Sequence, residues 1–256
     1  MSAGRSFLAL AAAAWTLLAC LTAPGAWAAP APAQLPLPAG ARIGVVDVLD
    51  AEVTYFHSAR RMQDSFLKTY PVNWSVDAML EEAVRERLTQ LGFVAVPVAP
   101  GEALTRAREE CFLNANLAKP LSKGCAAPYA QLAASERLAA LIVLGPGLND
   151  STHAQATRRK DLPEYLRGWC VIGAEGGGAP TLLNLTELLL IGLTPKGPLL
   201  VDREWGGART QAWNGFTAPA DPKALPAPLL DQLQPLFSAL LKEQASGLFV
   251  HLEVMR

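Results

Sequence analysis

Strand and helix patterns alternate along the first half of the chain, and this alternation restricts the fold more than any other feature. Arg42–Leu49 is rich in β-branched residues, as buried strands are. Two further strands are predicted at Phe93–Pro97 and Leu141–Leu144, each after a helical segment. The order strand, helix, strand, helix, strand is typical of a parallel sheet with right-handed crossovers. Glu52–Phe56 is also strand-like, and it either extends the first strand or pairs with it as a hairpin.

The helix predicted after residue 74 has the clearest pattern of the helical segments. Ser75 is a suitable N-cap, Asp77 favours the positive end of the helix dipole, and Gly92 is a suitable C-terminal stop. Apolar residues between them repeat at intervals of three and four, which predicts one buried face: Val76, Met79, Leu80, Ala83, Val84, Leu88 and Leu91. Two more helices are predicted, at 102–110 and 129–139, whereas residues 58–74 are polar and predict an irregular insertion.

The second half of the chain predicts antiparallel strands after a long polar connection at 145–168, a length that is usually functional or mobile. Three stretches are strand-like: Trp169–Gly173, Leu182–Leu193 and Leu199–Trp205. The sequence Thr-Pro-Lys-Gly at 194–197 suits a hairpin turn between the last two stretches. Alternating leucines in the middle stretch predict a strand with one buried face.

The chain ends in a predicted helix and a short strand. Apolar residues from Leu229 to Leu241 follow helical spacing, Pro235 kinks this helix or starts it, and Gly247 ends it. Leu248–Val254 then alternates like an edge strand. The predicted fold class is therefore α/β (α+β), with a single domain at 41–256. Its mixed sheet has a parallel βαβαβ first half and antiparallel strands in the second half, followed by the C-terminal helix and a short final strand.

The first 28 residues have the pattern of a secretory signal peptide. Arg5 supplies a positive start, Phe7–Leu21 is an apolar run, and Ala26-Trp27-Ala28 is a small-x-small cleavage site. The apolar run is shorter than the roughly 20 residues that span a bilayer, so no transmembrane span is predicted in the mature chain. Residues 29–40, rich in proline and alanine, follow as a leader or tether. We therefore expect a periplasmic protein.

A lipoprotein signal is the second interpretation of the same segment. Leu17-Leu18-Ala19-Cys20 resembles a lipobox, in which Cys20 would be lipidated and become the first residue. The protein would then be an outer-membrane lipoprotein, and residues 21–38 would form a semi-rigid tether. A single cysteine in an apolar stretch is also often only a small hydrophobic residue, so both interpretations stay open.

Composition excludes several classes of protein. The chain has 22 Lys and Arg against 23 Asp and Glu, a formal net charge of −1. No region of one sign stands out, so neither a nucleic-acid groove nor a polybasic membrane patch is expected. With 51% hydrophobic residues the chain buries enough apolar surface to offset its conformational entropy, which excludes a disordered protein.

Three cysteines lie beyond the signal peptide. Cys111 and Cys125 flank a segment that contains Pro120 and Gly124, and in an oxidising compartment this arrangement predicts a disulfide. Cys170 lies in an apolar strand-like stretch, which predicts a buried thiol that is inert for want of activation. No pair of cysteines or histidines has the spacing of a metal site.

No catalytic or cofactor motif occurs in the chain. The G-x-S-x-G elbow of serine hydrolases is absent. The glycine-rich stretch Gly173–Pro180 lacks the Lys-Ser/Thr and the following helix of a phosphate loop, so a hairpin loop is predicted there. Asp47, Asp50, Glu52 and His57 are metal-ligand types, but alternation along a strand directs Asp47 away from Asp50. The sequence therefore assigns no catalytic residue, cofactor or metal.

Three residues form a candidate ligand site: Asp47, Asp150 and His153. Asp47 is a carboxylate within an apolar strand, where it must have a partner, so it caps a neighbouring turn or lines the end of the sheet. Asp150 and His153 follow the strand that ends at Gly145, and α/β proteins place their sites at the carboxyl ends of parallel strands. A solvated loop is the alternative for these two residues.

Tryptophans occur at the ends of predicted elements or in irregular segments, at Trp74, Trp205 and Trp213. Such residues either anchor the core or form an exposed contact surface, because aromatic side chains are enriched both in cores and at interfaces.

The strand Arg42–Leu49, the helix closed by Gly92, the strand Phe93–Pro97 and the segment Leu141–Gly145 together resemble the α/β domain of bacterial cell-envelope accessory proteins. This group includes the TolB amino-terminal domain and the CsgG-like lipoproteins, and the resemblance covers roughly residues 40–150. The chain departs from the pattern in its longer insertion at 50–74 and in having no propeller behind the domain. The resemblance implies a non-catalytic periplasmic protein that works by contact, and it transfers no functional residue.

Two functional hypotheses follow from the sequence. The first is an exported, non-enzymatic envelope protein whose partners are other envelope proteins. The second is a periplasmic hydrolase or small-ligand-binding protein with its site near Gly145–His153. A pocket that gathers the candidate ligand site would favour the second hypothesis, whereas a flat aromatic patch or an unpaired sheet edge would favour the first.

Overall fold

The described part of the chain forms one mixed sheet with helices on its faces. The computed structural model describes residues 37–113, 121–147, 166–176, 178–207, 209–221 and 223–254. Its strands, in chain order, are β1 (Arg42–Asp47), β2 (Glu52–Ser58), β3 (Phe66–Pro71), β4 (Val94–Pro97), β5 (Ala140–Pro146), β6 (Gly168–Ala174), β7 (Thr181–Thr194), β8 (Gly197–Trp205) and β9 (Thr210–Ala212). They confirm the predicted single α/β domain with parallel and antiparallel strands.

Strand β7 is the centre of the sheet, because it is 14 residues long and pairs with four other strands. Its second half lies between β5 and β8, and its first half lies between β6 and β9. Strands β5 and β6 therefore follow one another along one edge of β7. Beyond β5 lie the parallel strands β1 and β4, and beyond β6 lie β2 and then β3. Strands β1 and β5 end, and β2 and β6 begin, along one line across the sheet. We call this line the seam.

Helices cover the sheet on both faces. In chain order they are α1 (Val76–Gln90), α2 (Glu102–Leu113), α3 (Lys123–Glu136), α4 (Ala227–Asp231) and α5 (Leu233–Val254), with a 3-10 turn at Met62–Asp64. Helices α1 and α5 bury their apolar sides against one face, and α2 and α3 pack against the other. None of these described helices has the length and apolar character needed to cross a bilayer.

Helix α1 confirms the helix predicted after residue 74. The Ser75 hydroxyl accepts a hydrogen bond from the Ala78 N–H at 3.2 Å, and Gly92 adopts a φ of +80° just past the last turn. Most of the predicted apolar face is buried under the sheet, at Val76, Met79, Leu80, Val84 and Leu88. The cap, the stop and the apolar repeat thus act together to place this helix.

The final strand predicted at Leu248–Val254 is wrong, because those residues are the last two turns of α5. Gly247 does not end the helix. A Cβ at this position would lie 2.6 Å from Glu204 Cδ, so the missing side chain lets β8 approach the helix. Leu248 and Leu252 are fully buried and one helical turn apart, so the apolar spacing fits a helix as well as a strand.

Both alternatives for Glu52–Phe56, an extension of the first strand and a hairpin partner of it, are also wrong, because β2 is a separate strand that does not pair with β1. After a turn at 48–51, β2 pairs in parallel with β6 and antiparallel with β3. Strand β3 falls within the segment predicted to be irregular. Because β3 is the last strand of the sheet and most of its side chains are exposed, no hydrophobic alternation marks it.

Strand β7 was predicted to bury one face, but both of its faces are buried. Leu188 and Leu190 pack on the side of α1 and α5, whereas Leu189 and Ile191 pack on the side of α2 and α3. A strand between two helical layers needs apolar side chains at successive positions, which explains the uninterrupted leucine run.

The predicted disulfide between Cys111 and Cys125 is confirmed, and it joins α2 to α3 with a Cα–Cα distance of 5.4 Å. Both cysteines are buried in the apolar cluster between these helices and the sheet. Cys170 is a buried free thiol, as predicted, and burial raises its pKa to about 12. A thiol with that pKa carries almost no thiolate at neutral pH and is not a nucleophile.

We expect the double substitution Cys111→Ser and Cys125→Ser to lower the free energy of unfolding by about 3 kcal/mol, because the bridge limits the unfolded chain. Urea unfolding of the oxidised protein and the double variant at 25 °C measures this difference. Cys170→Ser, which leaves the bridge intact, is the control for adding a hydroxyl to the core. Equal midpoints for the oxidised protein and the double variant, or two free thiols at 111 and 125 on labelling under denaturing conditions, would contradict the prediction.

Candidate functional site

The seam contains a small cavity of about 140 Å³ on the face covered by α2. The turn after β1, the first residues of β2, the end of β5 and the start of β6 contribute to its lining. Side chains from α2 close it from the other side. The cavity lies where the carboxyl ends of β1 and β5 meet, which is the place that the fold favours for a site.

Charged side chains of both signs line this cavity. Arg108 donates to both carboxylate oxygens of Asp50, at 2.7 and 2.6 Å, and to the Val48 carbonyl at 3.3 Å. Arg167 lies 3.3 Å from a Glu109 oxygen. The hydrogen bond to Asp50 raises the pKa of Arg108, and burial raises the pKa of Glu52.

The ion pair of Asp50 with Arg108 joins α2 to the turn after β1. A bidentate pair fixes both partners in direction and distance, so Asp50 positions α2 over the end of β1. Thr54 is the one hydroxyl residue among the described lining residues, and its Oγ1 lies 3.2 Å from Thr69 Oγ1 on β3. The arrangement can hold charge.

Asp47 does not line the seam cavity. Its neighbours Val46 and Val48 pack toward α2 and α3, so alternation along β1 directs Asp47 to the α1 face. Its Oδ1 accepts a hydrogen bond from the Leu49 N–H at 2.9 Å, which confirms the predicted role of capping a turn. Burial is the main cause that raises the pKa of Asp47 to about 7; the Leu49 hydrogen bond acts against it, and the charge of Asp77 in the first turn of α1 acts with it.

This raised pKa predicts a dependence of stability on pH. Asp47 binds its proton more tightly in the folded state, where its pKa is about 7, than in the unfolded chain, where it is 3.8. The stability from the protonated carboxyl is complete below about pH 4 and is lost as the pH rises toward 7. We expect Asp47→Asn to flatten this part of the profile, because the amide does not titrate and still accepts from Leu49.

Urea midpoints measured from pH 4 to pH 8 for the native protein and Asp47→Asn test this expectation, and their difference isolates Asp47 from the other carboxyl groups. Asp64→Asn, at an exposed position, is the control. A difference between the native protein and Asp47→Asn that does not change with pH would show that Asp47 does not titrate in this range.

The remaining predicted site residues are placed as follows. Asp150 and His153 lie outside the described residues, as does Cys20. His57 stacks on Phe66 at 5.1 Å, far along β2 from Asp47. In the described ranges, no three His, Cys, Asp or Glu side chains are grouped so that they could hold a metal ion. Gly173–Pro180 contains the turn of the β6–β7 hairpin, as predicted.

Two of the singled-out tryptophans are core residues. Trp74 packs against Trp169 and Phe237, and Trp213 is 1% exposed against Phe216. Trp205 is partly buried. These side chains therefore do not form a flat exposed patch.

A buried polar network, which the sequence did not predict, joins β7 to α5 beside the seam. Asn184 Nδ2 donates to Gln244 Oε1 at 2.9 Å, and Gln244 Nε2 donates to the carbonyls of Thr186 and Glu204 at 3.2 and 2.9 Å. The Thr186 hydroxyl lies 2.7 Å from Asn184 Oδ1. All three side chains, Asn184, Thr186 and Gln244, are fully buried. The sequence does contain a signal for this network, because Asn184 and Thr186 interrupt an apolar run and Gln244 lies on an apolar helix face. Buried polar residues of this kind need hydrogen-bond partners.

A buried ion pair lies on the opposite face of β7. Glu187 is fully buried, and Arg203 on the neighbouring strand β8 contacts both of its carboxylate oxygens, one of them at 2.9 Å. A charge inside an apolar strand needs such a partner. The polar network and the ion pair together stabilise β7 at the point where its neighbouring strands change.

Comparison with known proteins gives no relative: neither a protein-family model, nor a curated protein, nor a solved structure matches the chain.

Proposed function

We propose that the protein is exported to the bacterial periplasm and acts there, without catalysis, by contact with other cell-envelope proteins. The observation that carries the proposal is the buried Cys111–Cys125 bridge, because disulfides persist in oxidising compartments and are rare in the cytosol. The signal-peptide pattern of residues 1–28 and the resemblance to TolB-like and CsgG-like domains support the same location and mode of action. Attachment to the outer membrane through Cys20 is the variant of this proposal in which the lipobox is used.

The exposed edge of β3 supports a role in contact. In the pairing with β2, Val72 donates to Ala51, so alternate residues Leu67 and Thr69 direct their N–H and C=O groups away from β2. Among the described residues, these N–H groups form no backbone hydrogen bond. Within the described ranges, Leu67 is also one of the few exposed large apolar side chains. Such an edge accepts an extended segment of a partner as an additional strand.

The alternative function, a hydrolase or ligand-binding protein with its site near Gly145–His153, has less support. It requires Asp47 to act together with Asp150 and His153. Asp47 lies on the α1 face and is engaged by Leu49, and the other two residues are outside the described ranges.

We expect the mature protein, recovered from the periplasmic or outer-membrane fraction, to begin at Ala29 or at a lipidated Cys20. Intact-mass spectrometry distinguishes these two ends, because the lipid adds a large apolar mass. Removal of the Phe7–Leu21 run is the control, and it should leave the protein in the cytosol. A native chain that retains Met1 in the cytosolic fraction would overturn the proposed export.

A photo-reactive residue at position 67 tests the proposed contact in cells. We expect it to form an adduct with an envelope protein, and we expect Thr69→Pro, which removes an outward N–H, to abolish the adduct. The same photo-reactive residue at Val94, exposed on the opposite edge strand β4, is the control. Equal adducts from positions 67 and 94, or an adduct that persists with Thr69→Pro, would show that β3 is not the contact edge.

A further inference from the structure

A second and larger cavity lies at the far end of β2 and β6, and neither the seam nor the proposed contact edge uses it. We call it the glycine cleft: its floor is Tyr55 and His57, one wall is formed by the described residues 173–176 and 178–180 of the hairpin turn, and the other is the segment 214–219. Its volume is about 620 Å³, within the range of roughly 300–1,000 Å³ that small-molecule sites occupy. It also lies at the carboxyl ends of two parallel strands, β2 and β6.

Contacts with neighbouring side chains fix the two floor residues of the glycine cleft, Tyr55 and His57. Tyr55 is 3% exposed, and a Cβ at Gly173 would lie 2.3 Å from its hydroxyl, so this wall tolerates only glycine beside the phenol. The Tyr55 hydroxyl lies 3.4 Å from His57 Nδ1. The imidazole also stacks on Phe66, whose ring lies 5.4 Å from the Lys223 ammonium. These two contacts fix the position of His57, which lines the cleft.

The walls of the glycine cleft determine which ligand chemistry fits. No lysine or arginine lines it among the described residues, and its one carboxylate, Glu175, accepts the Arg60 N–H at 3.0 Å. The Arg60 guanidinium lies 3.7 Å from the position that a Cβ of Gly176 would take, but Arg60 is not one of the lining residues. A phosphate or another strong anion would therefore meet the Glu175 carboxylate without a cation in the described lining. Most wall residues are glycine, alanine or proline, so a ligand contacts backbone and small apolar groups. The aromatic surface comes from Phe216 and the floor.

Among the described residues, the cleft side chains that can form hydrogen bonds are His57, Asn214, Glu175 and the Tyr55 hydroxyl, and Glu175 already accepts the Arg60 backbone N–H. A neutral sugar, which carries a hydroxyl on nearly every carbon, would leave some of its hydroxyl groups without a side-chain partner there. A flat aromatic ring with one or two polar substituents matches the lining better, because its faces are apolar and its polar edge needs only a few partners.

We propose that the glycine cleft is a binding site for an uncharged aromatic small molecule with a hydroxyl or amide substituent. The ring lies against Phe216 and the small residues of the hairpin turn, and its polar substituent bonds to His57 and Asn214. This inference is independent of export and of contact at β3.

Binding of 4-hydroxybenzamide, measured by calorimetry and by the NMR shifts of the His57 ring, tests the proposal. We expect saturable binding that moves the His57 signals and raises the melting temperature. We expect Phe216→Ala and His57→Gln each to weaken binding by about tenfold or more, equivalent to about 1.4 kcal/mol. Leu67→Ala, an apolar truncation on the exposed β3, is the matched control and should change the dissociation constant by less than about twofold.

Three results would overturn the proposal. The first is no saturable binding of 4-hydroxybenzamide at millimolar concentration by a native protein that unfolds cooperatively. The second is binding that both cleft variants leave unchanged while circular dichroism shows them folded. The third is tighter binding of phenyl phosphate or methyl glucoside than of 4-hydroxybenzamide, which would assign the glycine cleft to anions or to sugars.

Discussion

Replacing Leu80 by aspartate should unfold the domain at 25 °C without denaturant. Leu80 is fully buried in α1, in the core between this helix and the sheet. Losing the leucine costs about 2–5 kcal/mol, as other buried leucines do. An unpaired carboxylate at the same place adds a further penalty. The sum approaches the roughly 5–15 kcal/mol that stabilises a whole domain.

Circular dichroism and a melting curve measure this effect. Ala78→Asp is the matched control, because it introduces the same residue in the same helix at an exposed position near the positive end of the dipole. We expect the control to melt within a few degrees of the native protein. A cooperative melting curve for Leu80→Asp at the native temperature would show that this face of α1 is not buried.

Replacing Gln244 by leucine should lower the free energy of unfolding by about 3 kcal/mol, since buried polar groups lose their partners. Leucine has a similar volume, so the change leaves no large cavity. It removes the acceptor of the Asn184 amide and the donor to the carbonyls of Thr186 and Glu204. Water cannot replace these contacts easily, because the three side chains of the network are fully buried.

Urea unfolding with a two-state fit gives the size of this loss. Gln234→Leu is the control on the same helix, at an exposed position, and should change stability by less than about 0.5 kcal/mol. Equal losses for the two variants would contradict a special role of the network. A smaller loss for Gln244→Leu combined with Asn184→Leu than for Gln244→Leu alone would support it, because the pair would then be replaced as a unit.

Elements whose signals are local could be predicted from the sequence. Ser75, the apolar repeat and Gly92 all point to α1, and the turn at 194–197 places the β7–β8 hairpin. Strand β3 could not be predicted in this way, because an exposed edge strand has no alternation to detect. The end of α5 was missed because Gly247 resembles a stop. It is a glycine because Glu204 packs against it, and that contact joins residues distant in the chain.

The candidate sites depend more than these elements do on contacts between residues that are distant in the chain. The disulfide between Cys111 and Cys125 was predicted, because that prediction needed only the closeness of the two cysteines in the chain and an oxidising compartment. The ion pair of Asp50 with Arg108 joins residues 58 positions apart, so neither residue stands out in the sequence. The glycine cleft could be predicted only in part. The sequence shows the glycine-rich turn, but not that Tyr55 and His57 lie beside it.

Strand β7 ties the two halves of the sheet into one folding unit. Its first half closes the hydrogen bonds of β6, and its second half closes those of β5. A fragment that ends at residue 147 would lack β7, and one that starts at residue 166 would lack the parallel strands β1 and β5 that complete the other half. Neither piece is therefore a module that could be transplanted or expressed alone. Only when both fragments are present together would the chain be expected to reassemble, as a split protein does.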